Sequence, residues 1–430
     1  MQVIADFHIH TKYSRATSNK MDLESLAENA KLKGLNLLGT GDFTFSAWFE
    51  ELKTKLEPAD KGVYTYGGIA WILTSEVATI YRDGEKSRRV HHVIHAPNLE
   101  VVAQINEALG KRGNLKADGR PIFSGLTSAE LVEMLIGIDK NILVYPAHAW
   151  TSWWAALGSF SGYDSIRDCY KDQTKHIHAL ETGMSSDPAM NWRLSALDKY
   201  TLLSNSDSHS PWIWRIGREA NVFEFDVGSV SELNYAMVND AIKTRRGLKF
   251  TIEVEPSYGK YHFTGHRNCA INLSPKQALQ FNNICPKCGR PLTVGVLQRV
   301  EQLADRPEGF KPKGAVGFKS LLPLYEIISF ATGTKQLYNK RVIEQQDALV
   351  KRFGNELNVL MNASAEQLLQ ATKEGIADAI MKVREGKVKY IPGYDGVYGQ
   401  PVFDNAKFEE LKTKMEKSAA EQKQLIDFKK

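Results

Sequence analysis

Val3-Ile4-Ala5-Asp6-Phe7-His8-Ile9-His10, at the start of the chain, decides the reading of everything up to about residue 225. Its apolar first half predicts a strand, and its polar end sets two imidazoles two positions apart. In an extended strand such residues share a face, so His8 and His10 can grip one ion while Asp6 supports them from behind or beside. Far down the chain, Ser206-Asp207-Ser208-His209 repeats the spacing as Asp207-x-His209. Alone, a His-x-His is usually an incidental pair, and a Ser-Asp-Ser-His can be a cap or a turn. Their joint occurrence at strand ends makes a site.

Outward from the first octet, Leu23, Leu26, Ala27 and Ala30 stand at helical spacing, with Asp22 as N-cap and Gly34 past the end. A strand from Leu35 to Thr40 runs into Gly41-Asp42. Further strand-like runs cover 70–81, 90–96, 141–145, 178–181 and 201–204, with helical patterns near 100–111, 128–138 and 188–198. This alternation predicts an α/β fold with a parallel sheet, open or closed into a barrel. Each strand ends in a polar residue: His8/His10, Asp42, Glu76, His148, Glu181, Asp207/His209. The C-terminal ends of barrel strands are where active sites assemble. Glu76 has two oxygens to share between ions, and His148 leaves the strand ending Tyr145-Pro146-Ala147. Imidazole and carboxylate together suit Zn²⁺, Mn²⁺ or Fe²⁺.

A second constellation is Cys285-Pro286-Lys287-Cys288, a knuckle that offers two corners of a tetrahedron. Cys269 and His266, at His-x-x-Cys spacing, supply the other two, with His262 as a competing ligand. A closed four-ligand site of this kind predicts one structural zinc. A redox Cys-x-x-Cys is the weaker reading, because nothing around it resembles a thioredoxin unit. The fourth cysteine, Cys169, stands apart.

The composition, 430 residues with 43% hydrophobic and 24% charged, is that of a globular protein of two or three domains. The net charge of +5 permits nucleic acid as a partner without requiring it. The chain offers neither an apolar run of membrane-spanning length nor a basic leader, so a cytoplasmic protein is expected. Residues 226–260 show weak patterning. Most of 311–430 reads as helical, including one helix over Ala363 to Gly386, broken by a turn-rich loop over 390–399. Basic residues Lys382, Arg384, Lys387 and Lys389 gather before that loop. The last fifteen residues are expected to fray.

Taken as a set, Asp6-Phe7-His8-Ile9-His10-Thr11, Gly41-Asp42, Ser75-Glu76, Pro146-Ala147-His148 and Ser206-Asp207-Ser208-His209 resemble the successive motifs of the PHP (polymerase and histidinol phosphatase) superfamily. That resemblance spans the first half of the chain and implies a distorted (β/α)₇ barrel over 1–225. The cysteine cluster and the helical patterning then mark a connector and zinc module over 226–310 and a helical domain over 311–430. The PHP resemblance also implies two or three divalent ions, with zinc, manganese and magnesium not distinguished. His8, His10, Glu76 and Asp207 would hold one ion, Glu76, His91 and His148 a second, and His209 a third. His92 is the alternative to His91, and the family spacing to Ala96 favours His91. Asp207, His209, Glu76 and Asp42 are the catalytic candidates. The chain departs from many members at Ala16 and Phe43, where those carry histidine.

Adding the zinc knuckle, Ile216-Gly217-Arg218-Glu219-Ala220-Asn221, the stretch from Gly295 to Arg306 and Pro392 to Gly399, the whole chain resembles the endonuclease Q family of archaea and some bacteria. The resemblance implies a metal-dependent DNA-repair enzyme that nicks 5′ to deaminated bases (uracil, hypoxanthine, xanthine) or abasic sites. Its partner would be damaged DNA, with a sliding clamp as candidate recruiter, and the enzyme would be a monomer that binds no membrane. Trp150, Trp153, Trp154, Phe160, Tyr163, Trp192, Trp212 and Trp214 either wall a base pocket or cap the barrel. Arg215, Arg218, Arg299 and Arg306 are candidate phosphate contacts or merely solvated charges. Two rival functions are a phosphatase of the histidinol-phosphate type and a non-catalytic DNA-binding accessory protein with a degenerate PHP site. The zinc module and tail speak against the first, and retention of His8, His10, Glu76, His148, Asp207 and His209 speaks against the second.

Overall fold

Seven strands carry the polar motifs: β1 (Gln2–Asp6), β2 (Leu37–Gly39), β3 (Ile69–Asp83), β4 (Lys86–Ala96), β5 (Leu143–Pro146), β6 (Ala179–Glu181) and β7 (Thr201–Leu203). The computed structural model describes residues 1–334 and 338–415. β1, β2 and β3 pair in parallel, with Ala5 opposite Leu37 and Leu37 opposite Ala70. β4 joins β3 and then β5, and β6 pairs in parallel with β7. Between β5 and β6 the Ala149 N–H donates to the Glu181 carbonyl at 2.9 Å. The ring closes where Ile9 bridges Ser208 in parallel. This is the distorted α/β barrel.

The sheet is not wholly parallel, because β4 runs against both of its neighbours. The cause is local: only Gly84 and Glu85 separate the paired ends Asp83 and Lys86, and so short a link can join strands only antiparallel. Gly84 takes φ 61°, the left-handed turn position that Asp83-Gly84 announces. The same hairpin carries β3 well past Glu76, so Glu76 lies mid-strand rather than at a strand end.

Strand alternation explains both the core and the site. Ala70 and Ile72 on β3, Val93 on β4, Tyr145 on β5 and Ala179 on β6 belong to one buried cluster with Phe7 and Leu203. Two-residue steps along those strands lead to Glu76, His91 and Glu181 on the same face. One face therefore carries both the apolar core and the ligands. The helix Leu23–Lys33 covers the outside, capped by Asp22 onto the Ser25 N–H and ended by Gly34 at φ 103°. Its Leu23, Leu26, Ala27 and Ala30 are buried.

Beyond β7 the sheet continues. β8 (Ala220–Glu224) lies antiparallel to β1, β9 (Leu248–Glu253) antiparallel to β8, and strand Gly317–Ser320 parallel to β9. The Asn221 amide stitches β7 to this edge: it donates to the Ser204 carbonyl at 2.8 Å and accepts the Ser204 N–H at 3.0 Å. A hairpin of Thr264–His266 and Ile271–Leu273 opens the cysteine region, followed by helices Pro275–Gln280 and Val296–Leu303.

Helices Leu324–Ala331, Lys340–Phe353, Glu356–Met361, Ala365–Ala371 and Glu374–Arg384 follow. The single helix expected over Ala363 to Gly386 is thus two. Thr372 and Lys373 both take extended backbone, so residues on either side of them do not share a continuous face. Leu368 packs inward while Leu369 is 54% exposed. The pattern near 188–198 is likewise broken, into helix Pro188–Asn191 and a single turn Ser195–Leu197. The 390–399 loop starts inside strand Lys389–Ile391 and returns to the cysteine region, where Phe263 N–H donates to the Gly393 carbonyl at 2.9 Å. The fraying expected of the last fifteen residues lies outside the described residues. Among the described residues, no helix is long and apolar enough to cross a membrane.

Candidate metal centre

Glu76 stands at the middle of the barrel mouth with both oxygens engaged. Oε1 lies 2.8 Å from His91 Nδ1, 3.2 Å from His148 Nε2 and 3.6 Å from His8 Nε2. Oε2 lies 3.3 Å from His10 Nε2 and 3.1 Å from Arg120 Nη1. Asp207 Oδ1 is 3.1 Å from His10 Nε2 and 3.7 Å from both His8 Nε2 and His209 Nδ1. Three overlapping groups result: His8, His10 and Glu76; Glu76, His91 and His148; and His10, Asp207 and His209. In each, the ligand atoms lie within 4.8 Å of one another.

Metal fits this donor set. His8 Nε2, His10 Nε2 and Asp207 Oδ1 are buried with no hydrogen-bond partner among the described residues. Leaving one such atom unsatisfied costs roughly 1–3 kcal/mol, so three together at one point are stable only with a further partner, which a divalent cation supplies. The backbone is also strained here, with Asp42, His148 and Asp207 at φ 45°, 29° and 47°. Such conformations concentrate where side chains must be aimed. Burial alone would raise the Glu76 carboxyl, but His91, Arg120 and His8 hold it well below its ordinary value.

Carboxylates behind the imidazoles fix their orientation. His8 Nδ1 is 3.1 Å from both oxygens of Glu181, which also accepts the His148 N–H at 2.7 Å and the Asn205 amide at 2.8 Å. His10 Nδ1 is 3.2 Å from Asp42 Oδ1. With Nδ1 bonded outward, each Nε2 lone pair points at the centre. Asp42 is in turn held by the Thr11 N–H, the Thr11 hydroxyl and the Ser14 hydroxyl at 2.7, 2.6 and 2.8 Å. It belongs to none of the three groups and stands behind His10. Gly119 completes the packing, since a Cβ there would come within 2.4 Å of Asp42 Oδ2.

Asp6 does not reach either imidazole ring. Its carboxylate accepts the Ser206 N–H at 3.1 Å and the Gly217 N–H at 2.9 Å, tying β1 to the loops after β7, and burial pushes its pKa to about 6. His91 faces Glu76, whereas His92 points to the opposite side of β4. There it meets the Tyr170 hydroxyl at 2.9 Å and Thr79 Oγ1 at 3.2 Å. Phe43 is fully buried and Ala16 exposed, so neither adds to the His209 group. Sequence reasoning passed over Glu181 as a site residue although it stands at a strand end. It missed Arg120 altogether, because a loop residue carries no periodic signal.

The cysteine region brings His266, Cys269, Cys285 and Cys288 within 4.8 Å of one another, a donor set that fits tetrahedral zinc. His262 lies apart, buried and stacked on Phe263 at 5.5 Å, and burial lowers its pKa to about 4. The four arginines are committed to the protein. Arg215 pairs with Glu326, Arg306 with Asp198 and Arg299 with Asp164, while Arg218 donates to the Ser206 carbonyl. Of the aromatics, Trp150 is buried with its indole N–H on Asn191, and Trp154 lies 5.0 Å from the His91 ring. Trp153 stacks on Phe160, which is 48% exposed.

The lesion-specific endonuclease PfuEndoQ of Pyrococcus furiosus superposes on this chain with a TM-score of 0.84 at 36% identity, covering 94% of this chain and 96% of that one. The chain belongs to the endonuclease Q family. A second endonuclease Q structure, a complex with a 27-mer duplex substrate bearing an abasic lesion at the active site, matches equally well, at TM-score 0.84 and 36% identity over 94% of this chain and 98% of that one. YqxK of Bacillus subtilis is 29% identical over 93% of this chain and 99% of its own length. MJ0043 of Methanocaldococcus jannaschii is 35% identical over 60% of this chain, a match that spans only 32% of MJ0043. Residues 323–387 match the MJ0043 C-terminal domain family. The endonuclease Q likeness thus takes in barrel, cysteine region and helices alike.

Proposed function

We propose that the barrel mouth is the active site of a metal-dependent DNA-repair endonuclease, which hydrolyses the phosphodiester 5′ to deaminated bases or abasic sites. The observation that carries this reading is Glu76, whose two oxygens are divided between separate imidazole groups in a chain that aligns end to end with a lesion-specific endonuclease. On this reading His8, His10, Glu76 and Asp207 hold one divalent ion, Glu76, His91 and His148 a second, and His209 joins His10 and Asp207 at a third. Ions so held would lower the pKa of a water and neutralise the phosphoryl oxygens of an in-line displacement. Glu181 and Asp42 keep His8 and His10 in the required tautomer. His266, Cys269, Cys285 and Cys288 hold a structural zinc.

Deaminated and abasic positions are weakly paired, so they leave the helical stack at lower cost than a normal pair. Trp153 and Phe160, on the loop whose Trp154 touches His91, present an aromatic face beside the centre for such a nucleotide. The barrel of 1–225 serves as the catalytic domain, with 226–310 and 311–430 as zinc module and helical domain that engage the duplex. The enzyme acts as a cytoplasmic monomer.

The test offers duplexes that contain uracil, hypoxanthine or an abasic site beside an undamaged twin and a phosphate monoester. Incision 5′ to the lesions alone is expected. Hydrolysis of the monoester with every duplex left intact overturns the reading in favour of a phosphatase.

A further inference from the structure

Arg120 is a cation placed among metal ligands. Its Nη1 donates to Glu76 Oε2 at 3.1 Å, and that is its only side-chain hydrogen bond among the described residues. Among the described residues Nε and Nη2 have no protein partner, and the side chain is 26% exposed. Besides Glu76, the negative charges that act on it are Asp207, a ligand of the same centre, and Asp118.

The root of the side chain is rigid. Asp118 Oδ1 accepts the Arg120 N–H at 3.1 Å and the Arg15 N–H at 3.3 Å. Gly119 on one side donates to the Tyr13 carbonyl at 3.0 Å, and its carbonyl accepts the Thr44 hydroxyl at 3.1 Å. Pro121 on the other side accepts the Ala78 N–H of β3 at 2.9 Å. The loop is thus pinned to three elements, and Arg120 is held at the edge of the ion cluster whatever fills it.

An arginine stays charged at any physiological pH. When Glu76 gives its oxygens to cations, the one anion Arg120 touches is neutralised, and the guanidinium faces like charges. A guanidinium so placed favours an incoming ligand that brings negative charge. A phosphodiester does so, and its two non-bridging oxygens match the planar fork that Nε and Nη2 offer. We propose that Arg120 is a catalytic residue that binds the non-bridging oxygens of the scissile phosphate and stabilises the charge they gain as water adds. This rests on the nuclease reading given above.

The experiment compares wild type, Arg120→Ala and Arg120→Lys on an abasic duplex at saturating DNA. Alongside, it measures bound ions by mass spectrometry and the affinity for the nicked product duplex by fluorescence anisotropy. Loss of one preorganised donor predicts a fall in kcat of about 10²–10³-fold for Arg120→Ala, with an intermediate value for Arg120→Lys. Ion content should be unchanged, product affinity weaker, and millimolar guanidinium should restore part of the rate. An Arg120→Ala rate within about threefold of wild type overturns the assignment. So does a loss of ions that accounts for the slower rate, since Arg120 would then act only through Glu76. Failure of wild type itself to nick any lesion duplex overturns the nuclease reading instead, so the two failures are distinct.

Discussion

Asp42 holds His10 by its Nδ1 at 3.2 Å, while its other oxygen accepts three hydrogen bonds from Thr11 and Ser14. The carboxylate is therefore fixed before the imidazole meets it. Asp42→Asn keeps the shape but offers one face of an amide where a full carboxylate stood. Such changes behind a metal-ligating imidazole typically cost about 10–100-fold in metal affinity or activity. We expect a fall of that size in incision rate, partly recovered by excess metal. Titration of incision rate against added Mn²⁺ for both proteins checks it.

Glu76 is shared between two of the three ligand groups, whereas His91 and His148 serve one. Glu76→Gln should therefore remove barrel ions from two positions at once and abolish incision, while His148→Ala should empty one. The four-ligand cysteine site is remote in sequence and complete in itself, so one zinc should remain in both variants. Ion counts by mass spectrometry on the purified proteins decide this. Equal ion content in wild type and Glu76→Gln would show that Glu76 bridges nothing.

Neighbouring histidines on β4 give a sharper contrast. His91 lies 2.8 Å from Glu76, and His92, on the other face, bonds Tyr170 and Thr79. Burial pushes the His92 pKa down to about 3, so its ring is neutral at every working pH. His91→Ala should lose an ion and activity with little change in Tm. His92→Ala should keep its ions and lose roughly 1–3 kcal/mol of stability, because the Tyr170 hydroxyl loses its His92 partner in the core, while Thr79 keeps the Val90 carbonyl at 3.4 Å. Urea denaturation with parallel metal analysis separates the two effects.

The contrast also shows what could be read in advance. Period-two alternation paired His8 with His10, since strand residues of like parity share a face, whereas Glu76 was read from its two shareable oxygens and His91 was preferred to His92 only by the family spacing to Ala96. The antiparallel hairpin was equally legible, in the Asp83-Gly84 turn, but the alternation of strands and helices suggested a parallel sheet. The division of labour between Asp6 and Asp42 was not legible. Asp6 ends β1 and Asp42 closely follows β2, and only the hydrogen bonds made by Ser206, Gly217 and the His10 ring tell brace from orienting group. Arg120 was invisible for a related reason: its place at the centre depends on a loop pinned by Tyr13, Thr44 and Ala78, which are far from it in sequence.

Stability should decline with pH through a carboxyl that no ligand group includes. Glu253 on β9 is fully buried, with Oε1 2.5 Å from the Thr251 hydroxyl and Oε2 3.0 Å from the Thr182 hydroxyl. Burial pushes its pKa from 4.5 to about 8. Buried Glu219 is also raised well above its ordinary value by burial and by Glu253. Because the folded pKa exceeds the unfolded one, the neutral acid favours the folded state. That contribution is fully present below pH 4.5, shrinks as pH rises, and is gone above about 8. Glu253→Gln fills the same space without ionising, and either hydroxyl can turn to accept from its amide. The variant should lose less stability than wild type between pH 5 and 8, with a difference on the order of a few kcal/mol across that window. Urea midpoints at closely spaced pH values measure it, and since both proteins carry the same metal centre, its own pH dependence cancels in the comparison. Parallel curves for the two proteins would mean that Glu253 is already ionised in the fold.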